Sequence, residues 1–302
     1  MSLRCPVTTL APARPAETPL LGMLFGATAY SVFAIHDALI KGIINQYDVV
    51  QILFVRSVVI ALLCLVIGRR QLLVDLARSP NRGVLVLRAV LTLAAWWMYY
   101  PQGRHLQLAE MTTLYYVAPV ITLLLAVFFL KERLTLARTG AAAIGFFGVV
   151  VAADPSGLHL GWPAMFALAA AFCWAVAMIL MRTISSRESS LVLVFSINAF
   201  YVVVLAPFAI LLWRPLEPLA ALGILGTGIA AGGAQYLLIE AARRVPAAVL
   251  GTVEYSALVW SFVFGFLFWG EQPASHVYMG AALVVAAGLI LAWSERRRRA
   301  RL

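Results

Sequence analysis

Residues 114–132 read LYYVAPVITLLLAVFFLKE, and residues 253–271 read VEYSALVWSFVFGFLFWGE. Each is an apolar run that closes in a glutamate, Glu132 in one and Glu271 in the other. Laying one glutamate on the other aligns Tyr116 with Tyr255, and Ala95 with Ala234, without a gap. Beyond one inserted residue, Gly140-Ala141-Ala142 falls on Gly280-Ala281-Ala282, and Gly148 on Gly288. Lys41, near the end of an early run, likewise matches Arg182 near the end of a later one. A repeat of that period divides the chain into halves at about 20–153 and 161–293.

What surrounds these stretches is equally apolar. Hydrophobic residues make up 63% of the chain and charged ones 12%, with a mean hydropathy of +0.93. A soluble domain carries roughly 45–50% apolar and about 25% charged residues, so both departures point to lipid as the solvent. Apolar runs fall at about 20–43, 49–68, 83–101, 107–130, 136–153, 161–181, 190–212, 219–240, 245–269 and 275–293. The third contains Arg88 and the eighth is rich in glycine, yet each is long enough to span. Turn signals separate them, among them Asn45-Gln46-Tyr47-Asp48 and Asp154-Pro155-Ser156-Gly157. Backbone crossing a bilayer must satisfy its own hydrogen bonds, which makes these runs helices. The expected fold is an all-α membrane protein of ten transmembrane helices in two five-helix repeats. Five is odd, so the second repeat is inverted relative to the first.

Charge sets the expected orientation. With the N-terminus in the cytoplasm, inside segments hold 18 of the 23 basic residues, against Lys41, Arg104 and Arg214 outside. Both termini are therefore expected in the cytoplasm of a multi-pass inner (plasma) membrane protein. The net charge of +10 comes from short clusters between apolar runs, so it reads as a membrane face and not as a nucleic-acid surface. Residues 1–19 read as a disordered cytoplasmic tail, and 294–302 as a basic tail meeting lipid headgroups. Cys5, Cys64 and Cys173 lack metal-ligand spacing. No metal and no cofactor is expected.

The chain resembles the drug/metabolite transporter superfamily in its ten-span EamA-type branch. The likeness rests on the two repeats with their closing glutamates, on SVFAIHDALIK at 31–41 and on FVRS at 54–57. It covers nearly the whole chain. The resemblance implies a carrier of small metabolites such as amino acids, aromatic metabolites, nucleosides, vitamins or drugs. It also implies a cavity lined by spans one, three, four, six, eight and nine, with five and ten at the periphery. Relatives commonly carry a proline midway along spans four and nine. Pro119 supplies the first, whereas Leu258 or its neighbours stand at the second.

Ionisable groups deep in a span cost about 2.5–3.5 kcal/mol even on lenient scales, so each needs a reason. Glu254, midway along span nine, either faces the cavity to meet a cation or a proton, or pairs with Arg56 or Arg88. His36 is a second candidate for substrate or proton; a satisfied structural histidine is the alternative. Asp37 lies next to it, about 100° round the helix, and four residues before Lys41, which suggests a same-helix ion pair. Arg56 and Arg88 read as structural partners, a reading the family's span-two arginine supports for Arg56. Among the aromatic residues, Trp96, Trp97, Tyr99 and Tyr100 crowd the outer half of span three. Trp97 and Tyr99, with Tyr115, Tyr116, Trp174 and Tyr255, are candidates for a cavity wall. Gln235 and Asn198 are polar and deep, and each needs a hydrogen-bond partner. Gly22 and Gly26, and Gly228 and Gly232, have GxxxG spacing for close helix crossing.

There is no HExxH, GxSxG or phosphate-binding loop, so the sequence does not read as an enzyme or an ATPase. A channel would need a ring of repeated pore-lining groups. The reading is a secondary transporter, most simply exporting amino acids or aromatic metabolites by alternating access, as a monomer or homodimer. Uptake of a nucleoside-type metabolite or vitamin is the alternative.

Overall fold

The computed structural model describes residues 19–130, 136–152, 161–245, 250, 253–254 and 256–299. Among these there is no strand. The helices are α1 (Pro19–Ile43), α2 (Val49–Arg78), α3 (Arg82–Tyr99), α4 (Leu108–Tyr115), α5 (Ala118–Leu130), α6 (Leu136–Ala152), α7 (Trp162–Ile184), α8 (Ser190–Leu211), α9 (Pro218–Arg244), α10 (Ser256–Trp269) and α11 (Ser275–Arg299). A 3₁₀ turn, Tyr100–Arg104, follows α3. Residues 1–18 of the expected tail, Glu132 and Tyr255 lie outside the described residues.

Among the described residues, six helical segments are long and apolar enough to cross a bilayer: Leu20–Ile43, Val49–Arg78, Arg82–Arg104, Trp162–Ile184, Ser190–Leu211 and Pro218–Arg244. The remaining apolar runs are shorter or interrupted among the described residues. The fourth is broken at Tyr116 and Val117, where the Tyr116 N–H reaches the carbonyls of Thr112 (3.0 Å) and Thr113 (3.2 Å) and the chain restarts as α5. Pro119 sits in the first turn of α5, where its missing N–H leaves no helical bond unmade. The described parts of α6 and α10 are 17 and 14 residues long and adjoin residues outside the described ones. The apolar part of α11 is Ser275–Ile290. Its helix does not stop at the expected tail but runs on through Arg299, with the Arg297 guanidinium 3.7 Å from the centre of the Trp293 ring.

Packing pairs helices from the two ends of the chain. The α1 helix lies on α9 and α10, α7 lies on α3 and on α4 and α5, α2 faces α8, α6 faces α11, and α4 faces α10. Small residues permit these approaches. A Cβ on Gly148 would stand 2.8 Å from the Gly280 carbonyl oxygen, and one on Gly280 2.5 Å from that of Gly148. Such backbone contact between α6 and α11 is open only to glycine. Large apolar side chains such as Val66, Leu219 and Ile210 point outward. That is the arrangement expected where lipid surrounds the bundle.

Polar groups gather at opposite ends of the bundle. At one end, Lys41 pairs with Glu271 and donates to the Leu106 carbonyl (3.0 Å), while Glu271 also accepts from the Leu108 N–H (2.8 Å). The expected Asp37–Lys41 pair is therefore replaced by one between residues 230 positions apart. Near it, Gln51 exchanges two hydrogen bonds with the backbone of Arg214, at 2.7 and 3.1 Å. At the other end, Glu188 accepts from Ser79 Oγ (2.6 Å) and Asn81 Nδ2 (2.7 Å), and Glu240 binds Ser190, Arg243 and Arg244.

Candidate functional site

The polar residues left in the middle surround two narrow chambers, each with closed space for no more than a few waters in this conformation. They share Phe33 of α1, Trp96 of α3 and Trp174 of α7 as lining residues. Both are built from the two halves of the chain, and neither takes a residue from α6 or α11. Spans two and seven contribute as well, through Arg56 of α2 and Tyr201 of α8. A more open groove between α2, α3 and α8 is almost wholly apolar, as a lipid-facing surface should be.

Arg56, Arg88, His36, Tyr100 and Gln235 line the first chamber. Arg56 is 1% exposed; its Nη1 lies 3.0 Å from His36 Nε2 and 3.4 Å from the Tyr100 hydroxyl. Arginine only donates, so His36 Nε2 must accept. The imidazole is then neutral and carries its proton on Nδ1, which faces the Asp37 carboxylate at 3.2 Å. In this arrangement His36 orients Arg56 and does not hold an extra proton. Arg88 gives Nη1 to the Leu193 carbonyl at 3.2 Å. Asn198 Nδ2 donates to Gln235 Oε1 at 3.0 Å and to the Val194 carbonyl at 2.8 Å, while the buried Asn198 Oδ1 has no partner.

Asp37, Tyr99, Thr112, Tyr115, Tyr116 and Glu254 line the second chamber. The Tyr116 hydroxyl donates to the backbone carbonyl of Glu254 at 2.9 Å, across the break between α4 and α5. Glu254 is buried in this chamber, and among the described residues its carboxylate makes no ion pair with Arg56 or Arg88. The Tyr115 hydroxyl and the Trp174 indole N–H are buried donors without a protein partner. Rings pack closely here: Trp96 stacks on Tyr100 (5.1 Å, 10°), Trp174 lies 5.2 Å from Trp96, and Tyr99 lies 4.9 Å from Tyr115.

Of the residues singled out in the sequence, His36, Trp174 and Gln235 meet at the first chamber, and Tyr99, Tyr115, Tyr116, Trp174 and Glu254 at the second. Trp97 does not join them. It is 58% exposed on the outer face, and its neighbour Trp96 is the one that turns inward. Tyr30, Phe33 and Tyr201 had no distinguishing signal in runs that are apolar on every side.

The family model for EamA-like transporters matches residues 20–153 and, separately, residues 161–293. The chain belongs to the EamA-like transporter family. Among similar EamA-like proteins is the "Riboflavin transporter" of Rhizobium johnstonii, 30% identical over 188 residues, 60% of this chain and 60% of that one. Another is the "Pseudopaline exporter CntI" of Pseudomonas aeruginosa PAO1, 26% identical over 280 residues, 91% of this chain and 97% of the relative. A crystal structure at 18% identity superposes with a TM-score of 0.67 over 91% of this chain and 98% of the other, a likeness of fold alone. Membership makes this EamA-like chain a multi-pass membrane transporter of small metabolites rather than an enzyme.

Proposed function

We propose that this chain exports amino acids or aromatic metabolites by alternating access, with the paired chambers as the transport site. The observation that carries the proposal is a buried, aromatic-walled, charged cavity lined by both halves of the chain. The mechanism calls for two inverted five-helix repeats, 20–153 and 161–293, crossing the inner membrane ten times with both termini in the cytoplasm. Three findings support it. Packing partners survive exchange of the halves: α1 on α9 corresponds to α7 on α3, α1 on α10 to α7 on α5, and α2–α8 and α6–α11 correspond to themselves. The family model matches each half separately. Segments at 44–51, 104–108, 214–217 and 271 meet at one end and those at 79–81, 188–190 and 240–244 at the other, as alternate crossings require.

In this mechanism Glu254 meets a substrate ammonium or a proton, and the rings of Trp96, Trp174, Tyr99 and Tyr115 hold the apolar body. A second reading, uptake of a nucleoside-type metabolite or vitamin, has the riboflavin-named relative behind it and calls for flux in the opposite sense. Purified protein in liposomes distinguishes them, with radiolabelled phenylalanine, tryptophan, uridine and riboflavin as probes. Protein-dependent flux of the aromatic amino acids is the expected result. Flux of riboflavin or uridine alone transfers the case to the second reading, and no flux above empty liposomes for any of the four overturns both.

A further inference from the structure

We propose that the Arg56–Arg88 chamber is a carboxylate-binding subsite, so that the transported metabolite is an aromatic compound bearing an acid group. This rests on the reading of the chambers as the transport site and adds the chemistry of what they hold.

Both guanidinium groups are deep in the bundle, Arg56 at 1% and Arg88 at 7% exposure. Arginine does not shed its proton when buried, so two positive charges stand in a region of low polarity. Structural arginines in such places are paired with carboxylates. Here, among the described residues, no carboxylate pairs with either guanidinium. Glu271 holds Lys41, Glu240 holds Arg243 and Arg244, Glu188 takes Ser79 and Asn81, and Glu254 lines the other chamber. Asp37 is one ring away from Arg56, reached only through the neutral imidazole of His36.

The way Arg56 is held gives the chamber its specificity. His36 and Tyr100 both take the Nη1 corner, while Nε and Nη2 are buried without a partner. Those two nitrogens form the side edge of the guanidinium, whose parallel N–H bonds match the two oxygens of a carboxylate. His36 thus fixes the planar group by one corner and leaves the bidentate edge unengaged. Arg88 lines the same chamber with a single bond, to the Leu193 carbonyl, so a second charge is at hand for the anion. Trp96, stacked on Tyr100 and adjoining Trp174, provides a flat apolar surface shared with the Glu254 chamber. A molecule with a ring against this surface, its acid on Arg56 and any amine toward Glu254 would satisfy both chambers.

Matched acids and amides test the idea: phenylalanine against phenylalaninamide, hydrocinnamate against hydrocinnamamide, and indole-3-acetate against its amide. Binding to the detergent-purified full chain is read from the ligand-dependent rise in unfolding temperature. The acids should bind the parent about tenfold or more tightly than their amides. Arg56→Gln and Arg88→Gln should lose that preference while still binding the ring, and Arg88→Lys should keep part of it. Arg88 has fewer bonds in the bundle, so Arg88→Gln decides the matter if Arg56→Gln does not fold. Amides binding as well as acids, a preference that survives in Arg88→Gln, or no acid raising the unfolding temperature overturns the subsite. Liposome flux of the same compounds separates the two proposals. Arginine-dependent acid binding without flux leaves the subsite standing and the transport reading refuted, and flux without acid preference does the reverse.

Discussion

The two chambers share Phe33, Trp96 and Trp174 and differ in the sign of their charge. Arg56 and Arg88 stand in one, Asp37 and Glu254 in the other. The division begins within a single turn of α1, where His36 lines the arginine chamber and Asp37 the acidic one. Neighbouring residues on a helix point about 100° apart, so one helix surrounded by partners can serve two compartments. The lesson is that the opposite charges of the two chambers are kept for separate tasks and not spent on each other, unlike the ion pairs at the bundle's ends. An Arg56–Glu254 pair would have neutralised both and left neither for a solute.

That contrast can be broken most sharply at Glu254. Glu254→Gln keeps the shape and hydrogen-bonding capacity but removes the charge. Flux of phenylalanine in proteoliposomes should fall about tenfold or more, as for loss of a charge-assisted contact, with normal insertion into the membrane. Unchanged flux per molecule together with a lower protein level would make Glu254 a structural residue. His36 offers a smaller effect of a different kind. His36→Phe removes the nearer of two acceptors at Arg56 Nη1 and leaves only the Tyr100 hydroxyl at 3.4 Å, and a poorly met buried donor costs about 1–3 kcal/mol. A lower unfolding temperature is the expected result, and an unchanged one would mean that the imidazole does not hold Arg56. The smallest effect is at the shared surface. Trp96→Leu should weaken acids and amides alike by several-fold, from about 0.5–1.5 kcal/mol of lost ring contact. Trp97→Leu, on the outer face, should leave binding unchanged; a loss there equal to that at Trp96 would put the aromatic surface on the wrong side of α3.

Much of this arrangement was legible in the residues themselves. His36, Glu254, Gln235, Tyr115 and Trp174 were conspicuous because a polar or amphipathic side chain deep in an apolar run has no water to turn to, so it must meet protein or solute. Pro119 likewise marked the place near which the fourth run breaks. The limits were equally physical. Between Trp96 and Trp97 the sequence offers no choice, since α3 is apolar on nearly every side and either ring suits lipid. Lys41 was read with Asp37, its neighbour four positions back, whereas its partner Glu271 comes from the far end of the chain. The ten-span count followed from lengths of apolar sequence, and only the backbone could reveal a break within one of them.

Residence in a membrane and the succession of apolar segments were determined by the sequence alone. Partition into lipid is close to a sum over residues, and such sums can be taken along a chain without knowing its path. Which cation meets which carboxylate, and which of two adjacent rings faces inward, belonged to the tertiary structure. Those depend on short distances between helices that are far apart in sequence, and a pair such as Lys41 and Glu271 exists only once α1 and α10 lie side by side.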